Sequence, residues 1–329
     1  MTGSDGLSQA SVKRALVFRL LERFCAEHAL VLTAGDPHGH AGMVENTAGK
    51  RRYFVGARFG LNNQSAAEIA NDKAYSAHFL AKNGIPVPEW LFLPGDEISD
   101  KDPLPEKLVS FAQQHGFPLF AKPVAGQEGK DVVRIGSPEH LQKVLAELVQ
   151  RHDRLLVQQA VSGREFRVLV LDDEVLCVFE RLAPAVIGDG EKTIAELVSG
   201  LAALDPTDDR FKVELLRQDL SLHQVPEPGR RIELLPVRNL SSGGTAILLD
   251  ANEYPGVADT AHASARALSL RYAGVDLLLG KSDAQDHEAL VLEVNAAPGL
   301  SNLARLGQEE AALVEAIYQR VFQAAFLEN

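Results

Sequence analysis

Two apolar stretches near the C-terminus carry acidic residues where a buried strand has no room for an unpartnered charge. They are Gly274-Val-Asp276-Leu-Leu-Leu-Gly280 and Ala289-Leu-Val-Leu-Glu293-Val-Asn295. Both read as strands, and the polar residues Ser282 to His287 between them predict an antiparallel pair. Glu293 and Asn295 are two apart, so their side chains leave the same face. With Asp276 on the neighbouring strand turned the same way, three oxygen donors converge. Oxygen-only donors with charge to spare suit Mg²⁺ holding phosphates better than zinc. A plain hairpin with a polar outer face explains the spacing equally well. The apolar setting speaks against it, because a buried carboxylate is costly unless it is paired or bound to metal.

Charge narrows the partners. In 329 residues, 33 Lys and Arg stand against 45 Asp and Glu, a formal charge of −12. Such a field repels polyanions, so neither nucleic acid nor an anionic membrane is expected as a partner. A local basic site for a small phosphorylated ligand is still allowed. Cys25 and Cys177 stand alone in apolar settings, which predicts buried thiols and no thiolate metal site. The first residues, MTGSDGLSQASVKR, lack the apolar core of a signal peptide, and no apolar run reaches the ~20 residues of a membrane span. A cytoplasmic location is the expectation.

The chain reads as three regions: 1–103, 104–162 and 163–329. Apolar spacing predicts a helix over 9–28, a strand at 29–33, a polar loop over 35–50 (GDPHGHAGMVENTAGK), a strand at 52–57 and a helix over 65–83. Pro94, Pro103 and Pro105 mark a linker. The stretch 106–159 reads helix, strand, Gly-containing loop, strand, helix, strand, with Ser137-Pro138 opening the second helix. So short a loop between strands predicts a small antiparallel lid, within an α+β chain. Strands at 164–171 and 175–181, a capping box at Thr193–Glu196, a strand at 231–237, a helix over 256–272 and a helical tail over 308–327 complete the reading.

Three further constellations bear on chemistry. Lys122 ends an apolar strand and runs into Gly126-Gln-Glu-Gly129-Lys130, a turn whose amides are able to wrap phosphate, or else a surface turn with lysines. Gln158-Gln159 ends a strand in a position to meet an adenine edge, and Glu165 follows within reach of ribose hydroxyls. Arg238 stands beside Ser241-Ser242-Gly243-Gly244, which suits an oxyanion or carboxylate, or else a surface loop. No Walker loop, GxSxG elbow, HExxH pair or early GxGxxG is present.

Taken in order, Asn71-Asp-Lys73, Gly84-Ile-Pro-Val-Pro88, Phe117-Pro-Leu-Phe-Ala-Lys122-Pro123, Gly163-Arg-Glu-Phe-Arg167, Asp276 and Glu293-Val-Asn295-Ala-Ala-Pro-Gly299 resemble the ATP-grasp superfamily. Val186-Ile-Gly-Asp-Gly190 with Thr193-Ile-Ala-Glu-Leu197 resembles cyanophycin synthetase. Arg217–Leu222 and Asn239-Leu-Ser-Ser-Gly-Gly-Thr-Ala246 resemble the same enzyme and the glutathione synthetase half of bifunctional glutathione enzymes. The likeness covers about residues 65–305.

It implies an ATP-grasp fold with ATP between a lid and a C-terminal region, and an ATP- and Mg²⁺-dependent ligase that joins a carboxylate to an amine through an acyl phosphate. Amino acids or peptides would be its substrates, and a homo-oligomer its assembly. Lys73, Lys122 and Gly129 would meet phosphates; Gln158, Gln159 and Val161 the adenine; Glu165 the ribose. Arg167 joins these nucleotide-binding residues. Asp276, Glu293 and Asn295 would bind Mg²⁺. Arg181, Arg238, Ser242 and Gly243 would face the acyl phosphate and substrate carboxylates, with Arg238 and the loop amides on the oxyanion. D-alanine–D-alanine ligases carry an arginine two residues before the metal aspartate, where this chain has Gly274. The second catalytic halves of cyanophycin synthetase and of the glutathione enzymes have no counterpart in 329 residues. A small-molecule kinase and a non-catalytic ATP-binding subunit are the alternatives.

Overall fold

The structure is a computed structural model, and it describes residues 14–99, 102–126, 129–201, 209–280 and 289–327. The turn Ser282–His287 and residues Gln127 and Glu128 of the glycine loop lie outside these, as does the start of the helix expected over 9–28. The chain packs as two units, Met1–Asn63 with Ala297–Asn329, and Gln64–Ala296.

The first unit sets a helix (α1, Leu16–Glu27) beside an antiparallel sheet of Val31–Ala34 (β1), Ala41–Glu45 (β2) and Arg51–Val55 (β3). α1 buries Val17, Phe18, Leu21, Phe24 and Cys25 along one stripe, the 3.6-residue pattern of a half-buried helix. Phe24 meets Phe322 of the Gln308–Phe322 helix at 5.4 Å, and Phe59 meets the same ring edge-on at 5.3 Å. Strand β2 lies inside the stretch 35–50 expected as a loop. Its short Ala-Gly-Met-Val-Glu run has little apolar weight of its own and is held by pairing on both sides.

The second unit holds every expected site residue. It opens with Gln64–Asn71 (α2) and Lys73–Lys82 (α3), two helices where the periodicity predicts one. Asp72 breaks them apart. Its extended backbone and its carboxylate, which accepts from the amides of Ala74 and Tyr75 at 3.0 Å each, make it the N-cap of α3.

Next come Trp90–Pro94 (β4), Glu106–His115 (α4), Leu119–Pro123 (β5), Val133–Ile135 (β6), Pro138–Val149 (α5) and Arg154–Gln159 (β7). They form an antiparallel sheet in the order β4-β7-β5-β6, the small sheet expected of a lid, with β4 as an added edge. Its Leu119, Ala121, Leu155 and Val157 pack on Leu108 of α4 and Leu141, Leu145 and Leu148 of α5. Lys122 and Gln158 therefore leave the opposite face.

The larger sheet is built from Gly163–Leu171 (β8), Glu174–Leu182 (β9), Thr245–Leu249 (β12), Tyr272–Gly280 (β13) and Leu290–Asn295 (β14), in the order β12-β9-β8-β13-β14, all antiparallel. Between β9 and β12 the chain makes Ala185–Ile187 (β10), Ile194–Ser199 (α6), Asp209–Arg217 (α7) and Arg231–Glu233 (β11), which enclose a small core of their own around Ile194, Phe211, Leu215, Ile232 and Leu234. The Thr193–Glu196 capping box is present. The strand expected over 231–237 stops at Glu233, and the helix expected over 256–272 is Pro255–Ala267 (α8). Phe166, Val168, Val170, Val178, Val275, Leu277 and Val294 turn one face of the large sheet onto Val257, Ala261 and Ala265 of α8. Glu165, Arg167, Arg181, Asp276, Glu293 and Asn295 alternate with these residues along the same strands.

Candidate active site

On that second face the strand registers bring distant residues together. Asp276 stands opposite Arg167 of β8 on one side and Glu293 of β14 on the other, and Glu165 stands opposite Arg181 of β9. Both oxygens of Asp276 are engaged. Arg167 donates from Nε to Oδ1 at 2.5 Å and from Nη2 to Oδ2 at 2.6 Å, and Arg181 donates from Nη1 to Oδ2 at 2.7 Å. Burial alone would raise the pKa of Asp276, but the two guanidiniums outweigh it and hold the carboxyl at about 2. Glu165 is driven the other way. Its burial raises the pKa, and the neighbouring Asp276 adds to this against Arg181, whose Nη1 lies 3.4 Å away. With its amide oriented so that both ends are satisfied, Asn295 donates to Glu293 Oε1 at 3.2 Å and accepts from Arg167 Nη2 at 3.1 Å.

Two lysines approach from separate elements. Lys73 is the first residue of α3, and its Nζ donates to the Gly126 carbonyl at 3.2 Å and lies 3.5 Å from Glu293 Oε2. Lys122 leaves β5 almost fully buried, 8% exposed, and donates to Gln158 Oε1 at 2.7 Å. Burial, and then the Lys73 cation, push its pKa down to about 8 despite Glu293 and Glu165. Gln158 thus has one carbonyl lone pair committed and the other open to a base amino group. The Gln159 amide donates to the Glu89 carbonyl at 2.8 Å, and among the described residues the Val161 amide has no protein acceptor.

The loop after β11 closes the site. Arg238 donates to the Gly163 carbonyl at 3.0 Å, while Arg181 holds the loop through the Arg238 carbonyl at 3.3 Å and through Asn239 Oδ1. The loop amides expected to serve an oxyanion are not free. Ser242 N donates to the Asn239 carbonyl and Gly243 N to the Leu240 carbonyl, closing a tight turn with Gly243 at φ +85°. The guanidinium of Arg238 therefore remains as the loop's charged donor. At Gly129, φ is +69° and an added Cβ would sit 2.9 Å from Asn239 Nδ2, so the glycine loop lies directly against the 237–239 segment.

Spacing alone did not reveal that Arg167 and Arg181 share Asp276, nor the contacts of Asn239 and Asp72. The Asn71-Asp72-Lys73 triplet, with a strong N-cap residue inside helical periodicity, was the available signal for Asp72.

The donor set fits a hard cation in part. Glu293 and the Asn295 amide are oxygen donors on one face, with Lys73 and Asn295 beside the Glu293 carboxylate. Asp276 has no oxygen free of a guanidinium, so a cation at Asp276 would have to take the place of one.

Comparison with known proteins gives a consistent picture. The family described as D-ala D-ala ligase C-terminus matches residues 79–187. A cyanophycin synthetase of Trichormus variabilis is 31% identical over 75% of this chain and 30% of its own length. The glutathione biosynthesis bifunctional protein GshAB of Clostridium perfringens is 24% identical over 88% of this chain and 37% of its own. The chain thus spans about a third of the length of the curated relatives it matches. Among solved structures, a bifunctional glutathione synthetase from Pasteurella multocida superposes with a TM-score of 0.58 at 18% identity, covering 93% of this chain and 44% of that one. A D-alanine–D-alanine ligase from Bacillus anthracis superposes at 0.52 and 18% identity, covering 80% and 68%.

Proposed function

We propose that this chain, which has the ATP-grasp fold, is an ADP-forming ligase that joins a carboxylate to an amine, with amino acids or short peptides as substrates. The supporting observation is the meeting of Lys73 and Lys122, from separate elements, with the Glu293–Asn295 face of the large sheet. In this reading 104–162 is the lid, 163–329 the catalytic region and 1–103 the N-terminal region.

A carboxylate resists an amine because its leaving group would be oxide. In the proposed reaction a carboxylate oxygen attacks the γ-phosphorus of ATP and ADP leaves. The amine then attacks the carbonyl carbon of the acyl phosphate, the C–O bond breaks, and phosphate departs with the amine's proton. Lys73 and Lys122 hold phosphate oxygens, where position and charge matter more than covalent help. Mg²⁺, when bound, neutralises phosphate charge, and Glu293 and Asn295 are the residues to hold it, with Asp276 behind them. Gln158, Gln159 and the Val161 amide meet the base, and Glu165 the ribose. Arg238, anchored by Arg181 through the loop backbone, stabilises the tetrahedral oxyanion.

The test is ADP release from Mg·ATP against pools of amino acids and short peptides, with mass spectrometry of the products. A species lighter by one water than the summed substrates is the expected product. One heavier by a phosphoryl group would overturn amide ligation in favour of a kinase.

A further inference from the structure

Outside the residues that would touch nucleotide, one ion pair joins the small sheet to the helix that carries Lys73. The carboxylate of Asp72 is used twice: Oδ1 caps α3 through the amides of Ala74 and Tyr75, and Oδ2 accepts from Arg154 Nη1 of β7 at 2.6 Å. The Arg154 guanidinium lies over the rings of Tyr75, on α3, and Phe92, on β4, at 4.8 and 5.2 Å. A planar cation between two aromatic faces and a carboxylate has its orientation fixed on three sides.

The backbone repeats the connection. The Lys73 amide donates to the Val124 carbonyl at 2.9 Å, and the Val124 amide donates to the Arg154 carbonyl at 3.2 Å. Ala74, Val124 and Leu156 form a small apolar core there, covered by Trp90 and Phe92. The chain leaving Val124 is the glycine loop, and its Gly126 carbonyl accepts from Lys73 Nζ.

We infer that Asp72 and Arg154 are a positioning pair for the phosphate site: their contact fixes the first turn of α3, and with it Lys73, against the strand end from which the glycine loop departs. The inference rests on the ATP reading for its consequence, though not for its geometry. Neither side chain touches nucleotide in this role. The pair acts through Lys73, one residue from Asp72, and through Val124, hydrogen-bonded to Arg154. Rotating α3 about its start would carry Lys73 Nζ away from both Gly126 and Glu293.

The two duties of Asp72 are separable. Asn caps a helix about as well as Asp, so Asp72→Asn keeps the cap and removes the charge seen by Arg154. Arg154→Met keeps much of the apolar stem and removes the pair, whereas Arg154→Lys keeps a cation without the planar fork. The experiment is binding of Mg·AMP-PNP by calorimetry to the full chain and these variants, together with amide hydrogen exchange at Lys73 and Val124 and thermal unfolding to establish folding. Asp72→Asn and Arg154→Met are expected to weaken binding by between about tenfold and about a hundredfold, the scale of a displaced contact. Exchange at Lys73 and Val124 should quicken while amides of β13 stay protected, and Arg154→Lys should recover part of the binding.

Binding within twofold of the parent in both Asp72→Asn and Arg154→Met, with unchanged exchange at Lys73 and Val124, would overturn the inference. If the parent chain binds no AMP-PNP, the ATP reading fails. Hydrogen exchange then decides on its own whether the pair fixes α3: faster exchange in the variants upholds that, and unchanged exchange overturns it.

Discussion

The charged face of the large sheet and the site face of the small sheet treat charge in opposite ways. On the large sheet Asp276 is surrounded: two arginines fill both its oxygens, and its carboxyl is held at about 2. On the small sheet Lys122 is less enclosed: buried, bonded to one neutral amide oxygen, with Glu293 and Glu165 acting only from a distance, and pushed down to about 8. The first arrangement is a closed network that keeps its geometry without a ligand. The second is a cation with no carboxylate bonded to it among the described residues, which fits a group whose partner, in the proposed function, would arrive with the substrate. In the proposed function, an ATP site divided in this way would have one fixed wall and one wall that phosphate completes.

Glu293→Gln is expected to sharpen that division most. It should lower ADP release by at least about a hundredfold, the scale of losing one preorganised electrostatic contact, while leaving the urea midpoint close to the parent. A large loss of stability instead would make Glu293 part of the closed network. Asp276→Ala should do the reverse in kind. It strands the buried guanidinium of Arg181 and the half-buried one of Arg167 and should cost about 3–5 kcal/mol in urea unfolding, more than any other single change on this face. A midpoint near the parent's would break the comparison, since the wall would then not depend on its central carboxylate. Arg238→Ala should reduce turnover by about tenfold to a hundredfold with little change in ATP affinity, measured as a split between kcat and the KM for ATP. An effect confined to that KM would move Arg238 to the nucleotide side.

The smallest effect is on pH. Phosphate oxygens beside Lys122 favour its charged form, so ATP affinity should be greatest below pH 8 and fall as pH rises through about 8, by up to tenfold per unit. Lys122→Met should bind ATP more weakly and flatten that profile. The same group also bears on folding. Its folded pKa, about 8, lies below its ordinary 10.5, so the unfolded chain holds more protons in this window. The cost of burying the cation is full below about 8 and is relieved between about 8 and 10.5, so the parent should gain stability there relative to Lys122→Met.

Much of this was legible from local pattern. A two-residue period places Glu293 and Asn295 on one face, and Asp276 joins them through the neighbouring strand, as the register has it. The small antiparallel sheet followed from loop lengths too short for a parallel crossover. What escaped was set by pairing over long separations. Arg167 and Arg181 meet Asp276 only because β8 pairs with β13 and β9 lies on the far side of β8, a fact of sheet order that no local spacing carries. Strands β2, β4, β10 and β12 are short, and their pairing depends on neighbours already in place. The loop amides of Ser242 and Gly243 looked available because a Gly-Gly turn exposes donors. Their use within the turn depends on the carbonyls of Asn239 and Leu240 swinging inward.

The first unit has a consequence for synthesis. Its opening helix finishes its core with rings from the Gln308–Phe322 helix, so Phe24 and Phe59 wait for Phe322 until all the residues between them are made. At roughly 5–20 residues per second that delay is on the order of tens of seconds. During it the apolar stripe of α1 has only the small sheet of its own unit to cover it and lacks the rings of the Gln308–Phe322 helix, whereas Gln64–Ala296 is a continuous segment that emerges whole. A ribosome stalled before residue 308 would therefore hold a chain with its candidate site residues complete and its first helix only partly covered, a substrate for chaperones or aggregation.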